Sequence, residues 1–138
     1  MRIMAIDYGD AHTGIAISDP TGFLAGFTTV IDAYRPEVVV ERIAALAKEH
    51  GVEELVLGHP INMDGTRGPR SEKAQAMAQL LREATSLPVT LWDERRTTID
   101  AHQILMGSGK NAKKRKKVVD AVAASLILEG YLTYKKSH

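Results

Sequence analysis

The chain has no cysteine in its 138 residues, which removes disulfides and thiolate metal sites and fits a reducing compartment. No apolar run approaches the roughly 20 residues needed to cross a bilayer, and the first residues lack a signal-peptide pattern. A cytoplasmic location is therefore expected. Internal repeats are missing, as are low-complexity tracts beyond one basic run. The proportions that remain, 44% hydrophobic and 25% charged, are ordinary for a globular protein. A chain of this length buries a core without covalent staples, so one domain over residues 1–138 is expected.

What is present begins with Met1 to Asp19, MRIMAIDYGDAHTGIAISD. Two short apolar runs, Ile3–Ile6 and Ile15–Ile17, flank the polar connector Asp7 to Gly14 and read as antiparallel strands of a hairpin. The first run is almost wholly apolar, which suits a strand covered on both faces. It ends on Asp7. Gly9 and Gly14 leave room for a phosphate or a metal ion to approach the backbone.

A turn at Asp19–Gly22 and a third strand over Ala25–Ile31 complete an antiparallel meander. Pro36 suits a first helical position. Val39, Ile43, Leu46 and Ala47 then recur at helical spacing, closed by Gly51 as a C-cap. Leu55–Leu57 reads as a fourth strand, and Gly58–Arg70, rich in turn residues, as a loop. Ser71 can cap a second helix with Ala74, Met77, Ala78 and Leu81 inward. Val89–Trp92 makes a fifth strand, with Trp92 in the core. Thr97 or Thr98 can cap a third helix, which Gly107–Gly109 breaks. A basic linker, Lys110 to Lys117, leads to a last helix from about Val118 to Tyr134. The class is α/β: a five-stranded mixed sheet, its first three strands antiparallel, flanked by helices.

The net charge of +1 conceals an asymmetry. Residues 1–94 carry 8 Lys and Arg against 14 Asp and Glu, a net −6, whereas residues 95–138 carry 10 against 3, a net +7. Such polarity points to a polyanionic partner. Its densest part is Lys110, Lys113, Lys114, Arg115, Lys116 and Lys117, able to neutralise several phosphates while conveying little sequence information. The run contains no aromatic residue, so base stacking is not indicated. Arg67, Arg70, Arg95 and Arg96 can add phosphate contacts. A solvated basic helix face is the ordinary alternative.

Three carboxylates are candidates by position. Asp7 ends the first strand, Glu94 follows the fifth, and Asp120 begins the last helix. Ala123, Ala124 and Ile127 share the helix face of Asp120, so its carboxylate ends an apolar stripe, where it is costly unless paired or metal-bound. Asp93 and Asp100 are near enough in sequence to support the set. Taken singly, each residue has an ordinary role: Asp7 as a turn former, Glu94 as the ion-pair partner of Arg95, Asp120 as an acid at a helix N-terminus. Together they form a set whose mutual repulsion a hard divalent cation, Mg²⁺ or Mn²⁺, would relieve. Such ions can activate water for phosphodiester hydrolysis. His12 and His59 fall on loops that could face the site, with metal ligation by either disfavoured.

The blocks Ala5-Ile6-Asp7-Tyr8-Gly9 with Gly14-Ile15-Ala16, Gly58–Gly65 (GHPINMDG), Asp93–Thr98 (DERRTT), and Val119-Asp120 with Ala123-Ala124 and Ile127-Leu128 span nearly the whole chain. Through them it resembles the YqgF family, also called RuvX, Holliday-junction-resolvase-like proteins associated with pre-16S rRNA nuclease activity. The resemblance implies a ribonuclease H-like fold and a divalent-metal phosphodiesterase with Asp7, Glu94 and Asp120 as its acidic residues. It also implies action at the 5′ end of pre-16S rRNA in ribosome biogenesis. His59 departs from the family, which more often has an apolar residue there. Compared with better-characterised junction resolvases, the acid nearest the fourth strand is missing, and Glu94 would replace it.

The expected function is therefore a metal-dependent endonuclease acting on structured RNA, as a monomer or weak homodimer. One alternative is a Holliday-junction resolvase acting on branched DNA, which would require a dimer. Another is a non-catalytic RNA-binding assembly factor, for which the basic run alone would suffice. A phosphate-loop ATPase or kinase shares a glycine-bearing hairpin after a strand Asp, but 138 residues cannot supply its two lobes.

Overall fold

The computed structural model describes the backbone of residues 2–19, 25–59, 68–93 and 112–137, and their side chains except at 25, 112–120 and 136–137. Five strands, β1 (Arg2–Asp7), β2 (His12–Ser18), β3 (Ala25–Asp32), β4 (Val52–His59) and β5 (Val89–Asp93), form one sheet in the order β3-β2-β1-β4-β5. β1 pairs antiparallel with β2 and β2 with β3, whereas β1 and β4, and β4 and β5, run parallel. The mixed sheet expected from the sequence is the one found. β1 lies at its centre, with Ile3 to Ile6 at most 3% exposed.

Helices cover both faces. Side chains alternate along a strand, so Met4 and Ile6 face one way while Ile3 and Ala5 face the other. On the first face, Met4, Ile6, Ile15, Ile17, Leu55 and Leu57 pack with α1 (Pro36–His50) and α2 (Pro69–Thr85). On the second, Ile3, Ala5, Ala16, Val56 and Trp92 pack with Ala124, Ile127, Leu128, Tyr131 and Leu132 of α3 (Ala112–Ser137). Ala5, Ala16 and Ala124 are all fully buried. Their small side chains let helix and sheet approach closely.

α1 begins with Pro36 in its first turn and ends at Gly51, which is left-handed (φ 66°) and returns its N–H to Ala47 and Lys48 carbonyls. Both ends match the sequence reading. Elsewhere the boundaries differ. β4 continues to His59, because Gly58 and His59 pair with Trp92 and Asp93. The turn-rich segment thus starts later than its glycine suggests. α2 starts at Pro69 with Gly68 as N-cap, two residues before Ser71, which is buried inside the first turn. α3 starts at Ala112, so Lys113 to Lys117 are helical rather than a linker. Lysine and arginine are good helix formers, and no glycine or proline interrupts that segment. The proposed helix after Thr97 lies outside the described residues, as does most of the Asp19–Gly22 turn. Among the described residues no helix is long and apolar enough to cross a membrane.

A polar clasp fixes the C-terminal part of α3. Glu54 of β4 is 8% exposed and accepts hydrogen bonds from the Tyr131 hydroxyl and, at 2.9 Å, from Lys135 Nζ. Trp92 meets the Tyr131 ring edge-on, with centroids 5.7 Å apart. Gly130 lets the helix pass, since a Cβ there would lie 3.3 Å from Trp92 Cζ2. Burial, then the bond to Glu54, raises the pKa of Tyr131 above its ordinary value. The bond to Glu54 raises that of Lys135. For both groups the folded pKa exceeds the unfolded one. Their contribution to stability is therefore complete below about pH 10 and is lost as pH rises through the folded values. Tyr131→Phe is expected to cost about 1.5–3 kcal/mol at pH 8. Between pH 8 and 11.5 it should lose less stability than the wild type, measured by chemical unfolding. Parallel losses would contradict the clasp.

Candidate active site

The carboxyl ends of the parallel strands form one edge of the sheet: Asp7 on β1, Gly58 and His59 on β4, Asp93 on β5. β1 is where the sheet changes character, antiparallel to β2 on one side and parallel to β4 on the other. In open α/β sheets ligands settle outside the carboxyl ends of strands, at such switch points. Asp7 is half-buried and alternates with Ile3 and Ala5 onto the face that α3 covers. Its register partner is Gly14, so β2 places no side chain opposite the carboxylate.

Asp120 lies on α3 one turn before the fully buried Ala124. The stripe inferred below it is real: Ala124 and Ile127 are buried, and Ala123 is half-buried. The structure thus brings Asp7 and the backbone of Asp120 to the same side of the sheet. The Asp120 side chain is outside the described residues. So is Glu94, although it directly follows Asp93, which pairs with His59 at this same edge. Asp100, Arg67, Arg95 and Arg96 are also outside. Lys113, Lys114, Arg115, Lys116 and Lys117 occupy the first turns of α3, with only their backbone described. Among the described residues no three His, Asp or Glu side chains are gathered as a metal-binding group.

A cleft opens between this edge and α2. Asp7, Tyr8, Gly9 and Asp10 line one side, Arg70, Lys73 and Ala74 the other, and Gly58 also contributes. Gly9 is required by the turn, because a Cβ would lie 2.5 Å from the His12 carbonyl oxygen. Burial raises the Tyr8 pKa above its usual value. Arg70 is where the sequence suggests a phosphate contact. Lys73, which lies 3.2 Å from Asp10 Oδ1, is not among the cations that the sequence pattern marks. The available signal was its i+3 spacing from Arg70, which places both on one helix face.

Neither histidine is on a loop. His12 belongs to β2, with Nδ1 2.6 Å from Asp32 Oδ1 across the β2–β3 pair. His59 ends β4 and is buried, its Nε2 2.6 Å from Ser71 Oγ. Gln75 Nε2 donates to the same Ser71 oxygen at 3.3 Å. This polar junction ties the carboxyl end of β4 to the start of α2, the helix on which Arg70 and Lys73 stand one turn apart. A buried hydroxyl that loses its partner is costly, so His59→Leu should destabilise the fold by about 1–3 kcal/mol. Adding Ser71→Ala should recover part of that loss in urea unfolding. Additive losses in the double variant would show that the two residues act separately.

Comparisons with known proteins agree with this architecture. A family model described as RuvX, Holliday junction resolvase, matches residues 1–134. A Halothermothrix orenii protein named "Putative pre-16S rRNA nuclease" is 46% identical over 135 residues, covering 98% of this chain and 96% of the relative. A Geobacillus kaustophilus protein of the same name is 44% identical over 138 residues, covering 99% and 100%. Among solved structures, T. thermophilus RuvC in complex with Holliday junction substrate superposes with a TM-score of 0.65 at 14% identity, covering 98% of this chain and 96% of that one. That likeness concerns the fold, the ribonuclease H-like arrangement that the family resemblance implies. With nearly the whole length matched by the family model and by close relatives, the chain belongs to the RuvX family of nucleases.

Proposed function

We propose that residues 1–138 form one metal-dependent endonuclease domain that hydrolyses phosphodiester bonds in the precursor of 16S rRNA, near its 5′ end, during ribosome biogenesis in the cytoplasm. The observation that carries this reading is the position of Asp7. It ends the central strand at the switch point, half-buried, on the face where the helix bearing Asp120 packs. The names of the relatives supply the RNA.

The donor set fits a hard divalent cation, since carboxylate oxygens suit Mg²⁺ or Mn²⁺. The glycine opposite Asp7 also leaves space beside its carboxylate. Asp7, Glu94 and Asp120 would hold the ion. When bound, such an ion supplies a nucleophilic water at neutral pH and stabilises charge on the phosphodiester. The remaining work falls to the chain itself. Arg70 faces the cleft beside Asp7 and can hold a backbone phosphate. Arg67, Arg95, Arg96 and the cations Lys113 to Lys117 would extend that track, and phosphate contacts of this kind position a strand without reading its sequence. The close seating of α3 on Ala5 and Ala16 sets where Asp120 stands relative to Asp7. The test is cleavage of a pre-16S rRNA transcript with Mg²⁺ or Mn²⁺ by wild type and by Asp7→Asn. Equal cleavage by both would contradict the reading.

A further inference from the structure

The cleft contains a pair of charges that the nuclease reading does not use. Lys73 Nζ lies 3.2 Å from Asp10 Oδ1, joining α2 to the β1–β2 connector, and the two side chains are 61% and 86% exposed. A pair this open to water adds little to folding, so its place in the molecule is more informative than its strength. Lys73 and Arg70 stand one turn apart on the same face of α2, and both line the cleft that Asp7, Gly9 and Gly58 also wall. α2 begins here with Pro69 in its first turn, and its N-cap, Gly68, supplies no side-chain hydrogen bond to the first amides. Its positive dipole end therefore adds to the field of the two cations. A phosphodiester entering the cleft meets two donors on one wall. The carboxylate of Asp10 already sits on one of them.

We propose that Arg70 and Lys73 form a phosphodiester subsite on the α2 wall of the cleft. In the free protein Asp10 occupies Lys73 in place of the phosphate, and a backbone phosphate of bound RNA displaces it. The inference rests on the nuclease reading for its substrate class. Exchange is easy because the pair is solvated and Asp10 lies in the connector, outside either strand. Lys73 keeps an anionic partner throughout. Asp10 thereby lowers affinity, since the binding-competent arrangement is only a fraction of the free population.

The test uses a fluorescein-labelled structured RNA in EDTA, with anisotropy read between 50 and 200 mM salt for wild type, Asp10→Asn, Lys73→Ala and the double variant. Asp10→Asn should bind about 2–5-fold more tightly, the size expected of an exposed pair. Lys73→Ala should bind roughly 3–10-fold more weakly, with a salt slope shallower by about one. In the Lys73→Ala background, Asp10→Asn should change nothing, which separates displacement at Lys73 from a general loss of negative charge. The same gain in both backgrounds, or no gain in either, would overturn the subsite. Cleavage with Mn²⁺ is scored in parallel. RNA that is cut while affinities ignore both substitutions would sink the subsite alone. RNA that is bound as predicted but never cut would sink the nuclease reading and leave the subsite standing.

Discussion

Asp7→Asn should reduce cleavage of a structured RNA by about a thousandfold or more, roughly 4 kcal/mol of barrier at about 1.4 kcal/mol per decade. The substitution keeps the size of the side chain and removes its charge, so β1 and its pairing with β2 and β4 should persist. Thermal unfolding should stay close to wild type, because Asp7 is only half-buried and ends its strand. RNA affinity in EDTA should not fall, since the substitution removes a negative charge from the edge where a phosphodiester is proposed to bind. A variant that lost binding and cleavage together would place Asp7 in substrate recognition. The expected signature is lost turnover with binding retained.

The second large effect concerns the seating of α3. Leu128 is fully buried between that helix and the sheet, and Leu128→Ala should cost about 2–5 kcal/mol, the range for a large-to-small change in a core. Ala124→Leu acts in the opposite sense. It forces bulk between α3 and the buried Ala5 and Ala16, and overpacking of this kind costs about 1–3 kcal/mol. The two should differ in function. At a temperature where both remain folded, the cavity variant should keep most of its cleavage. The overpacked variant should lose it, because Asp120 lies one turn from the displaced alanine. Equal activity in both folded variants would mean that helix seating does not set the geometry of the site.

The parts of this molecule that local pattern determines were legible in the chain. Ile3 to Ile6 announced a strand buried on both faces, and that strand is the centre of the sheet. Pro36 and Gly51 marked both ends of α1. Asp120 was conspicuous because an apolar stripe began beside it, and Ala124, Ile127 and Leu128 are buried as that stripe requires. What the chain does not reveal locally depends on contacts distant in sequence. Gly58 resembles a turn residue until its pairing with Trp92 makes it part of a strand. His59 and Ser71 acquire their roles only from each other. Lys73 meets Asp10 across 63 residues. The start of α3 is obscured for a different reason: a charge run following Gly107 and Gly109 reads as a linker, although its lysines and arginine favour helix.

Metal-dependent cleavage requires Asp7, Glu94 and Asp120 to converge at the carboxyl end of β1. Anomalous scattering from a crystal soaked in Mn²⁺ measures this most directly. Manganese density is expected at Asp7, within coordination distance of oxygens from Glu94 and Asp120. Manganese bound elsewhere, or an ordered Glu94 or Asp120 carboxylate directed away from Asp7, would contradict it.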